Sequence, residues 1–433
     1  MKIQIVICYL LLLSCVPAFA ETSLNGYIEL DERIKTQDYG GYYWNRTTLG
    51  LITKAAISDQ VAGYGELRFR TLNFPRVSQG NDLIQRDKVS PLEMELRQAY
   101  VDVFGSPFRN MDLRAGKQRI AWGTADKLNQ TDNLNPYDFS DLLEFGEKIP
   151  TNALKLTTYA GNNTLTAVFI PVFTPAIMPD NYSSLITSVI NNALPREITL
   201  VTVETKVILP ENKIENSMYA IKFARNILGF DMSISYFDGR DSLPDPERVI
   251  FTGLTTVAAT VIQNYPKIRV IGYDLAGSIG GVGVWAEAAL IKPDNLKQYI
   301  ITPLETQITE ITDYSKFTLG CDYTFPNGLY LNSQFMHGFL DERGENLSNM
   351  LQMRIEKKIL DEKIKLACTW LSDVELKETK KIIGNFFGPS ITWYPADATE
   401  ILLESISIDG DPGSKLSFWK TLDQVVLKVK YSF

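Results

Sequence analysis

The residues best placed to act together recur at alternate positions early in the chain. Glu29 and Arg33, Arg46, then Glu66, Arg68 and Arg70, Asp102, and Arg114 with Gln118 each sit in an apolar-polar alternation. In extended chain, positions two apart share one face, so these side chains would line a common wall. Asp274, Glu287, Asn332 and Gln334 would join it from later segments. Arginine suits such a wall because its planar fork binds carboxylate or phosphate with two parallel hydrogen bonds. With acids interspersed, two uses stay open: pairs that only satisfy and stiffen one another, or a transverse field that orients polar solutes at a narrowing. Nucleophilic or general-base chemistry finds less support. The one histidine is His337. In the segment Leu329–Phe339 it shares the face of Leu331, Phe335 and Phe339, away from Asn332 and Gln334, and reads as structural. We assign no catalytic residue and no cofactor, and no Cys/His cluster offers a transition-metal site.

A second group is the Asn- and Asp-rich stretch that begins at Trp122. It carries Asp126, Asp132, Asn135, Asp138 and Asp141, with Leu128, Leu134, Tyr137 and Phe139 as apolar anchors that an extended solvent loop would not need. Asn and Asp make local turns with their own backbone, so the stretch reads as an ordered loop. We expect it to fold into or over a mouth and to set its aspartates against Arg46, Arg68, Arg70 and Arg114, because opposed charges attract more strongly across a poorly hydrated gap. An ordered surface loop is the plain alternative. A calcium site from Asp126, Asp132, Asp138 and Asp141 is another, with a spacing unlike an EF-hand.

The elements that must position these groups are strands. In Ser315–Phe325, Phe317, Leu319, Cys321, Tyr323 and Phe325 alternate with Lys316, Thr318, Gly320, Asp322 and Thr324. An aromatic face opposite a charged one fits lipid outside and water within. The same period predicts strands near 24–35, 43–57, 61–73, 93–105, 111–123, 152–160, 163–173, 216–227, 230–238, 267–278, 282–292, 315–325, 329–339, 349–360, 363–373, 380–394, 399–409 and 422–433. That is an all-β, antiparallel up-and-down transmembrane barrel of about eighteen strands, with sixteen as the alternative. Tight links (59–60, 106–110, 161–162, 228–229, 280–281, 327–328, 361–362 and 396–398) alternate with long ones, notably 74–92, 124–151, 174–215, 239–266 and 293–314. Short turns at one end and long loops at the other are the habit of outer-membrane barrels. If Gln118 points inward, Lys117 and Arg119 point outward. No apolar run suits a membrane-crossing helix.

The two ends agree. Lys2, the apolar run Ile5–Leu13 and Ala18-Phe19-Ala20 form a secretory leader, cleaved after Ala20, which leaves residues 21–433 as one barrel domain. A lipoprotein leader acylated at Cys15 is the competing arrangement. At the other end Val425, Leu427, Val429, Tyr431 and Phe433 share an apolar face, and Tyr431 with Phe433 resembles the signal read by the bacterial barrel-insertion machinery. The formal charge is −8, without a basic patch, which argues against nucleic acid as a partner. Cys321 and Cys368, the two thiols beyond the leader, fall on apolar faces of strands that are not neighbours and should be unpaired.

Leu113-Arg114-Ala115-Gly116-Lys117-Gln118, Trp122-Gly123, Asp132 and Leu134-Asn135-Pro136 with Asp138 resemble a family of uncharacterised Gram-negative outer-membrane barrels related to porins and alginate-export proteins. Ile170-Pro171 with Phe173, Phe237-Asp238-Gly239-Arg240-Asp241 with Pro244, Gly272 with Asp274, and Trp285 with Glu287 and Ala289 extend the likeness over the first two-thirds of the chain. In general porins the loop after the fifth strand folds inward and narrows the channel. The resemblance therefore implies a channel for small polar or charged solutes, in the outer membrane, among lipid and lipopolysaccharide. Export of a polymer or lipid-linked substrate is the alternative; an outer-membrane hydrolase or a structural or adhesive barrel ranks below it. A polymer conduit would carry an unbroken basic stripe, and here acids are mixed in. The sequence does not name the solute or the oligomeric state.

Overall fold

The computed structural model describes residues 21–433 apart from 38–39, 145 and 377–380. The leader 1–20 lies outside the described residues. Twenty-three strands follow in chain order: β1 (Glu21–Lys35), β2 (Tyr42–Ser58), β3 (Val61–Thr71), β4 (Leu92–Phe104), β5 (Met111–Gln118), β6 (Thr151–Ala160), β7 (Asn163–Ile170), β8 (Thr199–Val207), β9 (Met218–Ile227), β10 (Phe230–Arg240), β11 (Asp245–Thr252), β12 (Thr256–Asn264), β13 (Lys267–Ile279), β14 (Val282–Pro293), β15 (Leu296–Ile301), β16 (Thr306–Ile311), β17 (Tyr314–Thr324), β18 (Leu329–His337), β19 (Asn349–Ile359), β20 (Ile364–Glu375), β21 (Lys381–Trp393), β22 (Thr399–Gly410) and β23 (Gln424–Ser432). Eighteen of them pair antiparallel in chain order, passing over β8, β11, β12, β15 and β16, and β1 closes the ring on β23. Eighteen, not sixteen, is the count, and closure leaves this sheet no free edge. No helix among the described residues is long and apolar enough to cross a membrane.

Pairing carries the two-residue period around the ring. Along β13, Ile268, Val270, Gly272 and Asp274 are buried inside while Ile271 and Tyr273 are exposed outside. At the closing seam Gly26 and Phe433 exchange backbone hydrogen bonds of 2.8 and 2.9 Å. A Cβ on Gly26 would fall 2.6 Å from the Phe433 ring, so the missing side chain is what seats the terminal aromatic on β1. Tyr431 and Phe433 are half-exposed on the outer face, their rings 6.3 Å apart.

The long links hold more structure than the alternation suggested. The expectation of plain loops at 174–215, 239–266 and 293–314 is corrected. There β8, β11, β12, β15 and β16 form a second sheet in the order β16-β15-β11-β12-β8, with parallel pairings β11–β15 and β8–β12. A helix, α1 (Tyr182–Ala193), packs Ile186 and Ile190 on one face against Ala259, Val261 and Phe251. These short strands join segments distant in sequence, and a rule based on alternating hairpins passes over such pairings. The fifth strand also ends sooner than expected, at Gln118 instead of residue 123. Beyond it the Arg119 amide donates to Gln98 Oε1 (2.9 Å) and the Ile120 amide to Asn135 Oδ1 (2.7 Å). Side-chain oxygens replace the next strand's carbonyls, and the chain peels into the bore.

Candidate functional site

The segment from Arg119 to Ile149, residue 145 apart, lies inside the ring and meets the wall through apolar packing, a buried carboxylate and ion pairs. Its first contact is apolar. Ile120, Trp122 and Leu134 pack with Val168 and Ile170 of β7, Met218 and Ala220 of β9, Phe237 of β10, Val270 of β13 and Ala289 of β14. Each large apolar side chain so buried contributes about 1.5–3 kcal/mol. Leu128 crosses to the far side and joins Met336, Met350, Leu371, Phe386, Ile406 and Val426 on β18 to β23. This accounts for Val426, the apolar exception on the inner face of the last strand.

Glu287 of β14, 1% exposed, anchors the same stretch. Its two oxygens accept from the amides of Thr124, Ala125 (2.6 Å), Gln130 (2.8 Å) and Thr131 (3.4 Å), and from Asn129 Nδ2 (3.1 Å). One carboxylate thus satisfies a concave run of donors that burial would otherwise leave unmet. Gly123, at φ +90°, permits the approach, because a Cβ there would sit 2.4 Å from Glu287 Oε1. Gln334 clasps the next turn, accepting from the Asp126 amide (3.0 Å) and from Trp285 Nε1 (3.0 Å) while donating to the Asp126 carbonyl (3.2 Å). Asn135 accepts from Ile120 and from Arg119 (3.0 Å) and donates to the carbonyls of Gln118 and Ile149. Gln118, fully buried, donates to the Ala153 carbonyl at 2.8 Å.

The later part, Asp141–Glu147, meets the wall through ions. Arg33 donates to Asp31 (2.9 and 2.6 Å) and to Asp141 (3.0 and 2.5 Å). Glu144 accepts from Lys428 at 2.6 Å, and Lys428 also lies 3.5 Å from Asp31. Glu147 pairs with Arg97 and stands 3.9 Å from Arg68. Burial raises the Glu144 carboxyl, but Lys428 outweighs it and holds the group below its ordinary range. At the return of the loop, burial pulls the Lys148 ammonium down to about 8, against the attraction of Asp132. That ammonium donates to the Asp132 carbonyl (2.9 Å) and sits 3.3 Å over the Tyr137 ring.

The expected partnership between the loop aspartates and Arg46, Arg68, Arg70 and Arg114 needs correction. Arg114 is taken by Asp102 of the neighbouring strand (2.7 and 3.0 Å) and lies over Tyr100. Arg70 pairs with Glu93 (2.6 Å) and Glu95 (3.5 Å). Asp132 pairs instead with Arg119, which turns inward because the strand has already ended; Lys117 stays outside, on the Leu96 carbonyl. Asp138 accepts from the Ser140 amide. Asp132, Asp138 and Asp141 each have a different partner, and among the described residues no group of three or more acids, His or Cys is placed to hold a metal ion. Asp274 accepts from Ser233 and, at 3.3 Å, from Lys222. Asn332 is buried on the inner face of β18. His337 stacks on Phe317 on the outside, and Cys321 and Cys368 are free. Sequence reasoning missed Arg97, Glu144, Glu147 and Lys148. Arg97 escaped because a bulge between the pairs Glu66↔Gln98 and Leu67↔Leu96 resets the parity of β4.

Two cavities flank the ionic part of the loop. One, of about 340 Å³, is lined by Glu29, Arg46, Glu66, Arg68 and Arg70 of the early strands, with Asp138 and Asp141 opposite. The other, of about 310 Å³, lies against β19 to β23 and is half apolar. Arg33, Glu144 and Lys428 border both, so their ion pairs form the partition. Arg46 stacks 3.9 Å over Trp44 and has no ion-paired acid among the described residues.

No family model matches the chain, and no curated protein matches it. Among solved structures it is similar to OmpF of Salmonella typhi, determined in complex with daunomycin, at 11% identity over 95% of this chain and 97% of that one, with a TM-score of 0.42.

Proposed function

We propose that this chain is an outer-membrane channel that passes small polar and charged solutes, with the segment Trp122–Glu147 as its constriction. The observation that carries the reading is the inward loop. It is docked across the bore on a dedicated anchor, Glu287, and leaves two solvent-sized cavities beside it, one lined mostly by charges and one half apolar. A barrel that served only as a scaffold would gain nothing from a buried carboxylate dedicated to a loop within its lumen. Mixed charge on the wall opposed to acids on the loop gives a field across the path, which discriminates among small ions and dipoles. Passage of a polymer would require this docked segment to leave. The leader directs export, and the terminal Tyr431 and Phe433, seated on the outer face, present the insertion signal. The test is planar-bilayer recording of the purified barrel. The parent should form discrete channels, and deletion of residues 126–141 should raise the single-channel conductance. Equal conductance and ion selectivity in parent and deletion would remove the loop from the path.

A further inference from the structure

The second cavity differs from the first in a way that points to a particular solute. Its wall carries Leu128, Leu371, Phe386 and Ile406, all nearly inaccessible to water, beside Glu404 and Lys127, which have no ion-paired partner among the described residues, whereas Glu144 pairs with Lys428 and Arg354 with Glu356. Arg354 of β19 reaches across to Thr369 of β20, donating to its hydroxyl at 2.8 Å. Thr369 is paired with Gly388 of β21. Glu404 of β22 extends over that glycine from the other side: a Cβ on Gly388 would lie 3.3 Å from Glu404 Oε1 and 3.0 Å from the Phe386 ring. Gly388 therefore forms a notch bounded by an aromatic ring and a carboxylate. The Arg354 guanidinium, which also pairs with Glu356 of its own strand at 3.0 Å, stands about one strand spacing away, roughly 5–10 Å from the carboxylate. Neither Glu404 nor Lys127, which enters from the loop, forms an ion pair among the described residues.

Glu404 and Lys127, unlike charges that border one cavity without pairing, suit a ligand that carries both. An α-amino acid places its ammonium and carboxylate side by side. With a hydrogen bond of about 2.8 Å at each end it spans roughly 8 Å. We propose that this cavity is a binding site for a small zwitterion with an apolar side chain. Its ammonium meets Glu404, its carboxylate meets Arg354 and Lys127, and its side chain lies on Phe386 and Leu371. The first cavity is bordered mostly by charged groups, and its two aromatic rings, Trp44 and Tyr27, are covered by Arg33, Arg46 and Lys430, so it offers no such apolar bed. The inference deepens the channel reading and rests on it for the route by which the ligand enters.

The test is calorimetric titration of the intact barrel in detergent with leucine and three deletions of its chemistry: isocaproate without the ammonium, isoamylamine without the carboxylate, and glycine without the side chain. Leucine should bind about tenfold more tightly than each, since a hydrogen bond to a charged group or a buried side chain carries that much discrimination. Glu404→Gln should bring leucine down to isocaproate, and Lys127→Met should narrow its lead over isoamylamine. Gly388→Ala, which crowds the notch and presses on the Phe386 ring, should weaken leucine, with thermal unfolding of the unliganded barrel recorded beside it to separate lost packing from lost binding. Equal affinity for all four compounds, or a leucine affinity unmoved by Glu404→Gln and Gly388→Ala together, would overturn the site. Bilayer conductance in potassium chloride is recorded separately. A silent barrel that still binds leucine refutes the channel and keeps the site, and an open one that binds all four alike does the reverse.

Discussion

Two stretches of one loop meet the same barrel by opposite means. Ile120–Asn135 is held by an apolar core and by Glu287 and Gln334, whose partners are mostly backbone amides and carbonyls. Asp141–Glu147 is held by ion pairs to β1, β4 and β23, some of them half in water. Burial of apolar surface and satisfaction of backbone donors change little with salt, whereas exposed ion pairs weaken as salt screens them. The difference divides the labour. The first stretch fixes where the constriction sits, and the second sets how firmly the partition between the two cavities is closed.

The sharpest way to break this division is Glu287→Ala. Amides and the Asn129 side chain that now share one carboxylate would be left buried without an acceptor, at about 1–3 kcal/mol for each that water cannot reach. We expect a loss of about 3–5 kcal/mol in loop docking, the scale of removing one partner from a buried charged contact. Amide exchange at Thr124, Ala125 and Gln130 should accelerate by two orders of magnitude or more, and conductance should approach that of the loop deletion. Unchanged protection at those amides would mean that the apolar core alone holds the loop.

The joint between the stretches is next. Burial depresses the Lys148 ammonium to about 8, while an undocked lysine titrates near 10.5. Between those values the undocked loop binds the extra proton, so docking strengthens as pH rises from about 8 to 10.5, and the cost of the buried charge is fully present below 8. The span corresponds to at most about 3 kcal/mol. Amide exchange of the loop across that range should show the rise in the parent and none in Lys148→Met. A parent profile that is flat over the range would remove Lys148 as the titrating group.

How much of this was legible beforehand follows from the same physics. A two-residue period is a local property, so the ring, its closing strand and the inner faces carrying Arg33, Glu66, Arg68 and Asp274 could be read from the chain. The Asp-rich stretch announced an ordered loop through its turn-forming residues and its buried-type anchors, Leu128 and Leu134. Which acid meets which arginine could not be read. Arg68 and Arg70 were claimed by Glu93, Glu95 and Glu147 because those lie on the adjoining strand or fold back onto it. A single bulge in β4 hid Arg97, and the small mixed sheet joined segments that no local pattern links.

Within the ionic stretch, the buried pair should matter more than the exposed one. Asp141→Asn leaves Arg33, 2% exposed, with Asp31 as its remaining close acid, and should cost about 1.5–3 kcal/mol of closure. The readout is a rise in open-state noise in bilayers, together with faster exchange at residues 141–147 and no change at 124–131. Acceleration of both stretches together would show that the loop undocks as one body and that the proposed division is wrong.

The smallest effect should come from Glu144 and Lys428, since the glutamate side chain is half exposed. Pairs in such surroundings contribute about 0–1 kcal/mol. Lys428 nevertheless holds the Glu144 carboxyl below its ordinary range, which fixes the direction of its pH response. A depressed carboxylate stabilises the closed form above its unperturbed value, near 4.5, and loses that contribution as pH falls through the depressed one. Acidification below about 4.5 should therefore loosen the tip slightly, and raising salt from 0.1 to 1 M, which cuts the screening length from about 10 to 3 Å, should do the same at neutral pH. Glu144→Gln should abolish most of both responses while leaving the amides bonded to Glu287 as protected as before. If salt instead exposes the Glu287-bonded amides and spares 141–147, the ionic contacts fix the position of the constriction and the apolar core is the part that yields.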